Sequence, residues 1–179
     1  MTPTEGAGTD RWLLTVTGPD RPGIIAAIAE VFAREGADLE DASMTRLSGN
    51  FAMILQASGG TEGGLRAGVE RAAGDLGMFV HLERAPRAVD DEQPNYFVSA
   101  AGPNRVGIVS TLSGILARHG VNITEMSTRL LGRTKVPVYL VRIECGCAGG
   151  WDAVAVELER AGEELGVEVR AEALESTDM

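Results

Sequence analysis

Two cysteines and two histidines in 179 residues are too few for several kinds of chemistry. Cys145 and Cys147 stand one residue apart, so both thiols point to the same side of a strand, a spacing that rarely makes a disulfide. His81 and His119 lie elsewhere in the chain, and no zinc set can be assembled. The two thiols read as incidental groups at a strand end, His81 as a strand residue, and His119 as a helix C-terminal residue favoured by the dipole. Neither histidine has a matched Ser or Cys nucleophile, and no HExxH, Walker or Rossmann pattern occurs. An enzyme is therefore not expected, and no cofactor or metal is called for.

Positive charge is also short. There are 16 Lys and Arg against 26 Asp and Glu, for a net charge of −10. Residues 1–89 hold 8 basic and 12 acidic side chains and residues 90–179 hold 8 and 14, so neither half offers a basic footprint for a phosphate backbone. Direct nucleic-acid binding is not expected. Met1 to Arg11 is small and polar, unlike a signal peptide or a membrane span, which leads us to expect a cytoplasmic protein with no membrane partner.

What the chain does contain, it contains twice. Gly18-Pro19-Asp20-Arg21-Pro22-Gly23-Ile24 returns 84 residues later as Gly102-Pro103-Asn104-Arg105-Val106-Gly107-Ile108. Farther on, Glu70-Arg71-Ala72 and Leu76-Gly77 return as Glu159-Arg160-Ala161 and Leu165-Gly166 at an offset of 89, so about five residues entered between the blocks. A period this long suits two small domains rather than a solenoid. Units of this size bury a modest share of their surface, which makes a homo-oligomer the expectation.

Each copy reads in the same order. Trp12 to Thr17 is a β-favouring run stopped by Gly18-Pro19, Pro22 suits a first helical position, and Ile24, Ile28, Val31 and Phe32 form one helical stripe closed by Gly36. The second stripe is Ile108, Leu112, Ile115 and Leu116, closed by Gly120. Ala37 to Leu47 and Phe51 to Ser58 read as strands joined through Ser48-Gly49-Asn50, and Val121 to Leu131 and Val136 to Glu144 as their counterparts, joined through Gly132-Arg133-Thr134-Lys135 with the extra residues there. Helices with stripes Leu65, Val69, Ala72, Leu76 and Val154, Leu158, Ala161, Leu165 follow, and then strands Met78 to Glu83 and Val167 to Ala171. The fold class is α+β: two ferredoxin-like βαββαβ units in tandem. The expected domains are 10–86 and 94–175, with a flexible N-terminus at 1–9, a linker at 87–93 and a tail at 176–179. Strand 1 is apolar on both alternating sets, so its second face should be covered by another domain or chain. Met44, Met53, Met78 and Met126 read as core or sheet-face filler.

The chemistry is expected at the repeated turn. A strand end, a Gly/Pro turn and a helix start leave the first helical N–H groups without partners and aim the positive dipole end outward, which suits a small anion. Gly23 and Gly107 lack a side chain where a ligand or another backbone would approach. Asp38 and Asn122 start the next strand and are expected beside that turn, where they could accept from an ammonium group.

A GxDRPGI turn opening an apolar helix, a glycine some thirteen residues on, and then Asp or Asn beside an apolar residue resembles the ACT domain, a small-molecule regulatory module. Because no catalytic domain accompanies the tandem pair here, it looks most like the glycine cleavage system transcriptional repressor group. Formyltetrahydrofolate deformylases and some phosphoserine phosphatases share the turn. The resemblance implies ligands held between the helix-1 turn of one unit and the strand-2 start of another: Asp20, Arg21, Pro22, Gly23 and Ile24 with Asp38, and Asn104, Arg105, Val106, Gly107 and Ile108 with Asn122. The implied ligand is an amino acid or similar small zwitterion, and the implied output is a change of contacts with a transcription factor or enzyme partner. A ligand-independent scaffold of the same modules is the alternative.

Overall fold

Trp12, Leu14 and Val16 alternate along one strand, and all three are fully buried, because a strand sends every second side chain to the same face and here that face meets two helices. A computed structural model describes residues 10–85, 93–132 and 137–174 of the chain. The chain divides into two compact units, Met1–Val89 and Asp90–Met179. The terminal segments at 1–9 and 176–179, most of the 87–93 linker, and Arg133 to Val136 of the second hairpin lie outside the described residues.

The first unit runs β1 (Arg11–Pro19), α1 (Ile24–Arg34), β2 (Ala37–Leu47), β3 (Asn50–Gly59), α2 (Glu62–Leu76) and β4 (Phe79–Arg84). The second runs β5 (Tyr96–Pro103), α3 (Ile108–Arg118), β6 (Asn122–Leu131), β7 (Val138–Gly146), α4 (Trp151–Leu165) and β8 (Glu168–Ala173). Each makes one antiparallel four-stranded sheet, in the orders β2-β3-β1-β4 and β6-β7-β5-β8. This is the ferredoxin-like βαββαβ unit, built twice.

Helical periodicity located the cores well. Ile24, Ile28 and Phe32 of α1 and Ile108, Leu112, Ile115 and Leu116 of α3 are buried, each contributing roughly 1.5–3 kcal/mol. In α2 the stripe turns slightly, so that Ala73 is buried while Ala72 and Leu76 are only partly covered. Thr61 caps α2 through its hydroxyl, which accepts from Gly64 N–H at 3.2 Å. At the other end Met78 N–H donates to Ala73 C=O at 2.8 Å and Gly77 N–H to Gly74 C=O, the paired bonds that stop a helix at a left-handed residue. Val167 and Gly166 make the same pair to Gly162 and Glu163 at the end of α4.

Four local features differ from the expectation. Helix α1 starts at Ile24, so Pro22 precedes the helix instead of occupying its first turn. The first hairpin is a two-residue turn, with Ser48 at φ 50° and Gly49 at φ 77°, and Asn50 already pairs with Leu47. The connection from β6 to β7 is four residues longer than that from β2 to β3, and the connection from β7 to α4 is two residues longer than that from β3 to α2, with β7 itself one residue shorter than β3. Both second strands carry a bulge, between Leu39 and Ala42 and between Ile123 and Glu125, that no sequence signal announced.

Cys145 and Cys147 are both buried and free. Burial, with the neighbouring Cys147 thiol adding to it, pushes the Cys145 thiol up to about 11, which keeps it protonated and unreactive near neutrality. Native protein at pH 8 is expected to resist iodoacetamide at Cys145 until denaturant is added. Rapid native labelling of that residue, read by mass spectrometry, would contradict the packing described.

Candidate functional site

The turn between β1 and α1 is shaped by two glycines with different reasons to be glycine. Gly18 sits under the start of β4, where an added Cβ would lie 2.7 Å from Met78 Sδ and 3.2 Å from Gly77 O. Gly102 is crowded in the same way, with Val167 Cγ1 at 2.7 Å and Val167 Cα at 3.0 Å. Gly23 is not crowded: a Cβ there meets no atom within 4 Å, and the residue is needed for its left-handed φ of 94° with ψ −7°. Those angles belong to the third residue of a type II turn, in which proline suits the second, and Pro22 holds that place. Gly107 repeats the conformation at φ 104° and ψ −14°, with Val106 fully exposed before it. Within the unit, then, Gly23 serves the backbone angle, and the space beside it is open.

The turn leaves helix α1 open at its start. No side chain caps Gly23 or Gly107, whose carbonyls accept the first helical bonds from Ala27 and Thr111 at 2.9 Å. The N–H groups of the first turn therefore face outward with the positive end of the dipole. In the first unit they border an open cavity of about 520 Å³. Asp20, Arg21, Pro22, Gly23 and Ile24 line one side, and Met44, Arg46 and Phe51 from β2 and β3 line the other. Arg46 Nη1 lies 3.3 Å from Asp20 Oδ2, and Asp20 N–H donates to Gly49 C=O at 2.9 Å, so the hairpin holds the turn in place. A cation, a carboxylate, free N–H groups and the apolar walls of Ile25, Met44 and Phe51 thus face one space.

Sequence reasoning missed Met44, Arg46 and Phe51. Strand register brings them there: Gly18 pairs with Phe51, and Phe51 with Arg46. The turn's offset in the second unit puts Leu130 and Tyr139 where Arg46 and Phe51 stand, since Gly102 pairs with Tyr139 and Tyr139 with Leu130. Asn104 replaces Asp20, so this turn lacks the ion pair. Arg105 instead lies over Gly166 at the end of α4, 3.1 Å from where a Cβ would be, and its charge suits that helix's negative end.

Asp38 is not beside the turn of its own unit. It pairs with Ser58 near Arg11, whereas Pro19 and Leu47 both pair with Asn50 at the far end of the sheet. Eight register steps separate them, about 26 Å of strand. Asn122, opposite Gly146, is equally distant from Pro103, opposite Val138. The cause is topological: the helix returns antiparallel to the first strand and delivers the second strand's start to the opposite end of the sheet.

The histidines are surface groups. His81 lies on the edge strand β4, 3.4 Å from Glu83. His119 is the C-cap of α3 and shares Glu157 with Arg118; hydrogen bonds from His119 and then Arg118 hold the Glu157 carboxyl below the usual range. Among the described residues, no group of three His, Cys, Asp or Glu could hold a metal ion, and no helix is long and apolar enough to cross a membrane.

Comparison with known proteins agrees with this fold. The ACT domain family model matches residues 10–83 and again 96–172. A UPF0237 protein of Methanopyrus kandleri is 40% identical over 77 residues, which span 41% of this chain and 86% of the relative. A solved structure of an unknown protein from Galdieria sulphuraria superposes with a TM-score of 0.82 at 26% identity, covering 93% of this chain and 99% of the other. One assigned provisionally as a glycine cleavage system transcriptional repressor superposes with a TM-score of 0.67 at 14% identity over 93% and 98%, which shows a shared fold. With the βαββαβ unit and its glycine-hinged turn present in both halves, each matched along nearly its whole length, the chain belongs to the ACT domain family as a tandem pair.

Proposed function

We propose that this is a non-catalytic regulatory protein that binds a small amino acid at its ACT turns and acts through protein contacts, with transcription of amino-acid metabolism as its field of action. The observation that supports this most is the first-unit cavity, where free helix N–H groups and Arg46 suit a carboxylate and Asp20 suits an ammonium group. Its volume falls in the range of small-molecule sites. Asp38, held about 26 Å away in its own unit, would enter the site from a second copy of the chain, which makes ligand binding and assembly one equilibrium. The ligand then shifts assembly by its difference in affinity for the two states. Cytoplasmic localisation and action without direct nucleic-acid contact belong to the same proposal.

The test is a thermal-shift panel of the twenty amino acids, followed by calorimetry. A ligand present at 100 times Kd should add roughly 2.7 kcal/mol of stability. Asp20→Ala and Arg46→Ala should each abolish that shift while the protein stays folded, and Asp38→Ala should weaken it. No shift with any amino acid would defeat the reading. The packing role of Gly18 and the backbone role of Gly23 favour one second reading, a scaffold whose turns persist for folding alone. A panel without response, combined with concentration-dependent assembly, would support it.

A further inference from the structure

The two helix-free sheet faces have diverged more than the cores. On the first, β1 and β3 present Leu13, Thr15, Ala52 and Ile54, with little charge at the centre. On the second, the face is ordered by charge in rows across the strands. One row reads Glu125, Glu144, Phe97, Glu172, and the next reads Ser127, Arg142, Ser99, Arg170. Glu125 and Glu144 stand directly opposite each other, a like-charge pairing that disfavours the isolated sheet. Arg170 is held by Glu168 at 2.7 Å, but no ion pair joins Arg142 or Glu144 to another described residue. Both line an open groove of about 510 Å³ over β6 and β7.

We propose that this face docks on the same face of a second copy of the chain, about a two-fold axis lying between the two rows. Such an axis keeps each strand over its own counterpart and exchanges the rows. Glu144 then meets the partner's Arg142, and Arg142 meets the partner's Glu144. Two of the three carboxylates of the acidic row, Glu144 and Glu172, then each face an arginine of the other sheet, while Glu125 faces the partner's Ser127. Isologous interfaces require this self-complementarity, and the exchange of adjacent rows supplies it. Sheets stack about 10 Å apart with strands offset by about 30°, which leaves room for the long side chains to meet between them. A four-stranded face about 19 Å wide and 30 Å long gives on the order of 600 Å² per partner, at the low end for specific interfaces. A dimer that is weak and easily shifted follows. This contact is separate from the one that would bring Asp38 of a second copy to the turn, and it does not involve the turn residues.

The experiment is sedimentation equilibrium on the full chain and on Arg142→Glu and Glu144→Arg, with far-UV circular dichroism to show that each is folded. Each single variant places like charges face to face and should raise the dimer dissociation constant at least about tenfold. An equimolar mixture of the two should recover the dimer, because every Glu then faces an Arg, and the doubly exchanged chain Arg142→Glu/Glu144→Arg should recover it alone. Variants that dimerise like the native chain, or a mixture without recovery, would overturn this surface while leaving assembly itself standing. A native chain that stays monomeric would overturn both.

Discussion

Replacing Trp12 with alanine is expected to cost the first unit about 3–5 kcal/mol, the usual loss for truncating a fully buried large aromatic. Trp12 is 0% exposed, its indole N–H donates to Gly59 C=O at 2.8 Å, and the Arg84 guanidinium lies 5.2 Å from the ring centre. Small domains have roughly 5–15 kcal/mol in all, so this one change should leave the unit close to unfolded. Trp12→Phe separates the contributions: most of the apolar contact stays, while Gly59 C=O loses its donor at a cost of about 1–3 kcal/mol. Chemical denaturation followed by circular dichroism measures both. In the Trp12→Phe chain the remaining tryptophan, Trp151, stacks on Tyr96 at 4.0 Å and reports on the second unit alone. A loss under about 1 kcal/mol for the alanine variant would contradict the packing.

Gly23 is the second position where one atom should matter. Because its φ is 94° and nothing is near an added Cβ, Gly23→Val should destabilise the first unit by roughly 1–3 kcal/mol through backbone strain alone. Gly23→Asn, whose side chain tolerates the left-handed region, should cost less. Reading the residue as a space for a ligand implies a binding loss far larger than the stability loss. The observed angle changes that expectation, since valine also moves the first helical N–H groups. Calorimetry on both variants therefore has a defined outcome: asparagine keeps stability and amino-acid binding, and valine loses both. Equal stability of native, Asn and Val chains would show that the left-handed turn is not required.

The sequence was enough for the fold because its signals are local. A 3.6-residue stripe at Ile24, Ile28 and Phe32, alternation at Trp12, Leu14 and Val16, and glycines at each helix end are properties of a few successive residues, and the repeat stated each of them twice. The turn of the candidate site was legible for the same reason, as an unbroken run from Asp20 to Ile24. Only tertiary structure could decide what stands opposite that run. Strand pairing brought Met44, Arg46 and Phe51 to it and carried Asp38 to the other end of the sheet, because antiparallel register is set by contacts between distant segments. The same register sorted Glu144 and Arg142 into rows of opposite charge on the second sheet, a pattern that a linear reading of β7 does not contain.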